Sequence, residues 1–194
     1  MENEKRSPMK LKLLLAGIKE IEENGLQNFS MRQVAARCGV SCAAPYKHFT
    51  DKQEFLMEII KYINDEWNEI LHQIIVSNEG ALKELIVEMC MSYVRFLLDN
   101  PHFRSVVMLK DNSMTEEFKK AKAAISDTAN DIIARYCKQA KIPDDVRAVK
   151  QYIIRSLIYG AAVLVDNGEI EYTEEFAGQI REAIKEQIRE ALGR

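Results

Sequence analysis

The chain has 194 residues, 47% of them apolar and 29% charged, with only 8 glycines and 4 prolines, which excludes a disordered or fibrous chain. No run approaches the ~18 consecutive apolar residues of a membrane span, and the length suits either one domain or a small head on a larger body. A formal net charge of −3 argues against a nucleic-acid partner, yet residues 1–52 carry nine Lys or Arg against six Asp or Glu, a balance of +3, while residues 53–194 carry eighteen against twenty-four, a balance of −6; the two parts are expected to face different partners.

Scarce Gly and Pro, with apolar residues recurring at three and four positions, predict helices almost throughout and no strand. The first helix is expected from about Met9 to Asn24, with Leu11, Leu14, Leu15, Ile18 and Ile21 on one face, and with Gly25 to stop it. Its charged, interrupted apolar run reads as amphipathic and not as a signal peptide. Ser30 is placed to cap a short second helix that ends at Gly39, and Ser41 to cap a third, with Pro45 in its first turn and Phe49 closing it. Long helices follow at about 52–77, 80–99, 102–111, 115–140, 145–166 and 173–192, separated by clusters of turn-forming residues. No fixed-period repeat suggests a solenoid.

The informative stretch is Ser30 to Leu56, SMRQVAARCGVSCAAPYKHFTDKQEFL. Two short helices joined by a Gly-containing turn, with the small Ala35 where they would cross and Val40 entering the core, suit a helix-turn-helix whose second helix lies in a DNA major groove ~12 Å wide. Spacing alone does not separate this from an unrelated helical hairpin. The segment resembles the N-terminal DNA-binding domain of the TetR family of bacterial transcriptional regulators. The residues that carry the likeness are Phe29-Ser30-Met31-Arg32, Val34-Ala35-Ala36, Gly39-Val40-Ser41 and Tyr46-Lys47-His48-Phe49, with Asp51-Lys52 and Leu56 beyond.

Ser41, Ala43 and Ala44 at the start of the third helix are candidates for base edges, the alanines through thymine methyl groups. Tyr46, Lys47, His48, Lys52 and Arg32 are candidates for phosphates or bases, and Lys5, Arg6 and Lys10 for a flexible arm that enters the minor groove or adds attraction. Phe29, Val34, Val40 and Phe49 are assigned to the core.

Other chemistry is thinner. Glu69 and His72 have the spacing of one half of a di-iron site, but no second Glu-x-x-His follows, and no catalytic grouping of Ser, His, Asp or Cys is evident. The four cysteines, Cys38, Cys42, Cys90 and Cys137, contain no CxxC pair and read as thiols of a reducing cytoplasm. Cys38 falls on a buried helix face and Cys42 near a helix N-terminus at the DNA side.

The body carries aromatic and sulfur side chains that line either a core or a pocket. The resemblance implies an effector site there, for which Trp67, Tyr93, Phe96, Phe103, Met108 and Tyr136 are nominated; the body's acid excess leaves a cationic effector open. It also implies a homodimer formed through the last two helices, with Ile154, Leu157, Ile158, Ala161, Ile180 and Ile184 in the interface. Two recognition helices would then address palindromic half-sites ~34 Å apart.

The expectation is therefore an all-helical chain, with a three-helix helix-turn-helix head over 1–52 and a helical-bundle regulatory and dimerisation domain over 53–194. Its expected function is sequence-specific transcriptional regulation, as a cytoplasmic repressor released by a small ligand, with no cofactor, metal or membrane. An activator, a regulator that answers to a protein, and a helical metalloenzyme are the alternatives.

Overall fold

The computed structural model describes residues 6–78, 81–108 and 115–189. Among them there are α-helices and two short 3-10 turns, and no strand: α1 Pro8–Asn24, α2 Met31–Arg37, a 3-10 turn at Pro45–Lys47, α3 Lys52–Ser77, α4 Leu82–Asp99, α5 Pro101–Val107, α6 Glu116–Ala123, a 3-10 turn at Ala124–Ser126, α7 Asp127–Gln139, α8 Asp144–Asp166 and α9 Glu174–Ile188.

Their ends follow local chemistry. The Ser7 hydroxyl accepts the Lys10 N–H at 3.3 Å with Pro8 in the first turn, where its missing donor costs nothing. Helix α2 closes in a Schellman motif: Gly39 N–H donates to Ala36 O and Val40 N–H to Ala35 O, at 3.0 and 3.1 Å, with Gly39 at φ 69°. At the start of α3 the Asp51 carboxylate accepts the Glu54 N–H at 2.8 Å, while Glu54 Oε2 accepts the Thr50 N–H and hydroxyl at 2.5 and 2.6 Å. These reciprocal bonds satisfy donors that a helix start otherwise leaves open.

Two expected helices are corrected. No α-helix forms between Ser41 and Phe49; the segment makes mainly i to i+3 bonds, Ala44 N–H to Ser41 O, Lys47 N–H to Ala44 O and His48 N–H to Pro45 O, with one i to i+4 bond, Phe49 N–H to Pro45 O. With Ser41 as cap, Pro45 is the fourth residue, whose N–H would close the first α-turn onto the cap carbonyl. Its missing donor is therefore not cheap there. The helix expected over 115–140 breaks at the 3-10 turn of Ala124–Ser126, where Ser126 and Asp127 form a second helix-start signal inside the run. The expected extension of α5 to residue 111 runs outside the described residues, as does that of α9 to residue 192.

The chain folds as two compact units, one of residues up to Glu66 with His102–Ala124, the other of Trp67–Pro101 with residues from Ile125 onward. Helix α3 supplies residues to both. In the first unit α1 packs on α2, and the core gathers Leu13, Leu14, Ile18, Val34, Phe49 and Phe55. Phe55 sits between the rings of Phe29 and Phe49, at centroid distances of 5.6 and 4.5 Å. Val40 is half-buried, less enclosed than a core assignment implies. In the second unit α4 packs on α7, α8 and α9, and α8 on α9, with Trp67, Leu71, Ile86, Leu97, Ala162 and Ile184 buried.

Candidate functional site

In the first unit the α2 turn presents a continuous polar surface. Arg32, Ser41, Cys42, Ala43, Tyr46 and Lys47 are exposed, while Ala44 and His48 are half-buried. Tyr46 keeps 57% of its surface open although neighbouring Pro45 and Phe49 are buried. An exposed aromatic beside unpaired cations is unusual for a surface that only solvates the fold, and fits contact with a partner. Among the described residues neither Arg32 nor Lys47 has a carboxylate partner.

Several other head cations are already engaged, although Lys19 is exposed on α1 with no carboxylate partner among the described residues. Arg6 pairs with Asp65 at 2.6 Å and stacks over Tyr62 at 5.3 Å. Lys10 pairs with Glu58 at 2.7 Å and lies over Phe49. Arg6 and Lys10 are thus docked on α3, and the flexible arm expected of them is corrected; Lys5 lies outside the described residues. Arg37 binds both Glu20 and Glu23, which pushes its pKa further up and that of Glu23 down, the hydrogen bond between them leading. Glu20 is fully buried and also accepts from Asn24 at 3.0 Å, so this cluster ties α1 to α2. Lys52 reaches the Leu26 carbonyl at 3.5 Å and lies over Phe29, with its side chain still exposed. The +3 balance of residues 1–52 is partly spent on Asp65 and Glu58, beyond that span.

The second unit holds a cavity of about 80 Å³, bounded by α3, α4, α7 and α8. Trp67, Met89, Cys90, Ile125, Ile133, Ile154 and Ile158 make its apolar walls; Ser126, Asn130, Gln151, Arg155, Tyr93 and Tyr159 bring polar atoms. The Trp67 ring stands 4.6 Å from that of Tyr93 and 5.5 Å from that of Phe96. The buried Tyr93 hydroxyl makes no hydrogen bond of good geometry. Burial above all, then the charge of Tyr159 and a weak hydrogen bond to it whose geometry is poor, push its pKa up, and Arg155 pulls against this.

Of the six nominated ligand residues, Trp67 and Tyr93 line the cavity. Phe96 lies behind Trp67. The Tyr136 hydroxyl donates to the Ile188 carbonyl at 2.6 Å and so closes the end of α9. Phe103 stacks edge-on against Tyr62 in the first unit, where Met108 also lies, exposed. Arg155, Gln151 and Asn130 were missed because, as polar residues of helix faces, they resemble solvated surface until α7 and α8 bring them to one rim. Five residues nominated for a dimer interface, Ile154, Ile158, Ala161, Ile180 and Ile184, are buried within the single chain, and Leu157 is half-buried. The outward face of α8 instead shows Val149 and Tyr152, 58% and 72% exposed. This helix is long and apolar enough to cross a membrane by length and composition, yet only 22% of its most apolar window is buried in the chain.

Glu69 and His72 are exposed on α3, Glu69 accepting from Gln73 at 3.3 Å, and no cluster of three metal-ligating side chains occurs among the described residues.

Residues 13–59, from α1 through the turn into α3, match the family described as bacterial regulatory proteins, tetR family. That N-terminal segment is a TetR-family DNA-binding segment. Solved structures with the same fold include a TetR-family transcription regulator from Marinobacter aquaeolei, 17% identical with a TM-score of 0.78, covering 92% of this chain and 94% of that one. The TetR-family regulator PfmR of Thermus thermophilus is 21% identical with a TM-score of 0.68, over 94% and 96%. FadR of Bacillus subtilis, solved with stearoyl-CoA, is 14% identical with a TM-score of 0.70, over 92% and 99%. No curated protein matches the chain. The exposed residues Arg32, Ser41, Ala43, Tyr46 and Lys47 all fall within the TetR-family segment.

Proposed function

We propose that this TetR-family transcriptional regulator is a cytoplasmic, homodimeric repressor that a small ligand releases from its operator. The carrying observation is the exposed face of Arg32, Ser41, Ala43, Tyr46 and Lys47 around the Gly39 turn, with two unpaired cations in an otherwise acidic chain. Lys47 and Arg32 would neutralise phosphates, while Ser41 and Ala43 are small enough for the backbone to approach base edges. Lys52, Ala44 and His48 flank that face as secondary contacts. The functional division stays at 52/53, head and body, although the packing units divide elsewhere.

The dimer would form through α8 and α9, where Val149 and the half-buried Leu157 leave apolar surface of α8 uncovered. Pairing two heads by a two-fold axis matches a palindromic operator. The effector would enter the cavity around Trp67 and Tyr93. Release follows if the ligand prefers the arrangement in which α3, common to both units, holds the head away from its DNA geometry.

A mobility-shift titration with the intergenic DNA upstream of the gene, run as a salt series, tests this. Lys47→Ala is expected to weaken binding to every sequence and to reduce the slope of log K against log salt by ~0.9 per lost phosphate contact. No shift at low salt, or an unchanged slope, overturns the reading.

A further inference from the structure

The cavity of the second unit is chemically one-sided. Among the described residues its lining contains one charged side chain, Arg155, and no carboxylate, although the chain as a whole is acidic. Among the described residues the Arg155 guanidinium bonds the Ser126 hydroxyl at 3.4 Å, a long contact, and pairs with no carboxylate. Deeper in, the buried Tyr93 hydroxyl makes no hydrogen bond of good geometry, Tyr159 being its polar neighbour, a cost that a better-placed acceptor would relieve. Because burial holds this phenol protonated, it is a hydrogen-bond donor waiting for an acceptor. Donor and cation therefore sit on the same cavity, and both ask for an anion.

The remaining walls ask for a ring. Trp67, Tyr93 and Tyr159 offer aromatic faces and edges, and Met89 and Cys90 offer polarisable sulfur, both of which favour a flat aromatic guest. At about 80 Å³ the cavity lies below the ~150 Å³ that accepts a benzene molecule. The cavity opens to solvent at the exposed Arg155 rim, so a single ring can seat in it with its polar head at the mouth. We infer that the effector is a single-ring aromatic carboxylate, its ring against Trp67 and Met89 and its carboxylate held between the Tyr93 hydroxyl and Arg155. This rests on the reading of the cavity as the effector site and adds the ligand's class. It also replaces the cationic effector that the acid excess of the body left open, since the acids of the body do not line the cavity. The outer groove that continues from the rim adds Arg147 and Asp131; Arg147 pairs with Asp144 at 3.2 Å, so Asp131 is the one carboxylate there, outside the cavity itself.

The chain has a single tryptophan, and it stands in the wall, so its fluorescence reports occupancy directly. Benzoate, benzamide and benzamidine present the same ring with negative, neutral and positive heads, and each is titrated into the full chain. Benzoate is expected to change the Trp67 emission saturably and to bind at least tenfold more tightly than benzamide, with benzamidine weakest. Arg155→Gln, at an exposed rim position, is expected to weaken benzoate about tenfold and to leave benzamide unchanged, the loss expected for one charge-assisted hydrogen bond. Tyr93→Phe is expected to weaken benzoate as well, without loss of stability. Equal binding of the three probes, indifference of benzoate to Arg155→Gln, or no response to any probe up to ~10 mM overturns the assignment. Mobility shifts run alongside keep the two ideas apart. Benzoate that binds as expected but leaves DNA affinity unchanged defeats the effector reading and supports the ligand class; DNA release by a neutral or cationic compound with no benzoate binding does the reverse.

Discussion

Gly17 in the middle of α1 is buried against α3, and replacing it by Ala sets two opposed effects against each other. In an exposed helix the change would add about 1 kcal/mol of stability through helix propensity. Here the new Cβ would stand 2.3 and 2.7 Å from Cε1 and Cζ of Phe55 and 3.1 Å from Cδ1 of Ile59. Ordinary carbon contacts lie near ~3.5 to 4.0 Å, so the ring would have to retreat by about 1.2 Å. Phe29 and Phe49 block that retreat, with ring centroids 5.6 and 4.5 Å from Phe55, which is itself fully buried. Overpacking of this kind costs about 1 to 3 kcal/mol, and a ring boxed in on both sides puts it at the upper end. The net expectation is a loss of about 2 kcal/mol after the propensity gain is set against it. Urea unfolding followed by circular dichroism should show the midpoint falling by about 1 M for an m-value of ~2 kcal/mol/M. Gly178→Ala in α9, where no heavy atom lies within 4 Å of the added carbon, should keep or raise the midpoint. Pairing Gly17→Ala with Phe55→Leu should cost less than the sum of the two changes, because the second makes room for the first. A midpoint for Gly17→Ala equal to or above that of the native chain, at unchanged m, would refute the close approach of α1 to α3.

Three further outcomes are expected. The Thr50 hydroxyl and then its N–H hold the Glu54 carboxyl below its ordinary value of 4.5, so the stability it contributes is present above that pH and lost as the pH falls through the folded-state value. The stability difference between the native chain and Glu54→Gln should therefore shrink on acidification below 4.5, and a pH-independent difference would contradict the capping bonds. Burial raises the pKa of Cys38 and Cys137, and pushes that of Cys90 up to about 12, whereas Cys42 is exposed. A thiol reagent should label one cysteine in the native protein and the other three only on unfolding; rapid native labelling of two or more would contradict their burial. Finally, Val149→Glu on the exposed side of α8 should convert the proposed dimer into a species near 22.3 kDa in sedimentation, and an unchanged dimer would remove that side from the interface.

Much of this protein was legible in one dimension. Helical periodicity and sparse Gly and Pro marked the long elements, and the Gly39 turn with Ala35 and Val40 marked the helix-turn-helix, because capping and turn chemistry depend on residues a few positions apart. Pro45 was legible too, but its effect depended on a count of one residue from the cap, and the third helix gave way to 3-10 turns. Charge was the weaker guide: residues 1–52 carry a local excess of cations, yet Asp65 and Glu58 on α3 neutralise Arg6 and Lys10, while Arg32 and Lys47 remain exposed beside the Gly39 turn.

Tertiary structure alone decided the body. An apolar residue on a helix has the same signature whether it faces a core, a cavity or a partner, so Ile154 and Ile158 could be placed on a stripe but not against the cavity they line. The same limit hid Arg155, whose polarity reads as solvated surface until α4, α7 and α8 are packed together. The balance of charge along the chain marks where cations and acids concentrate, and only packing shows which of them remain unpaired.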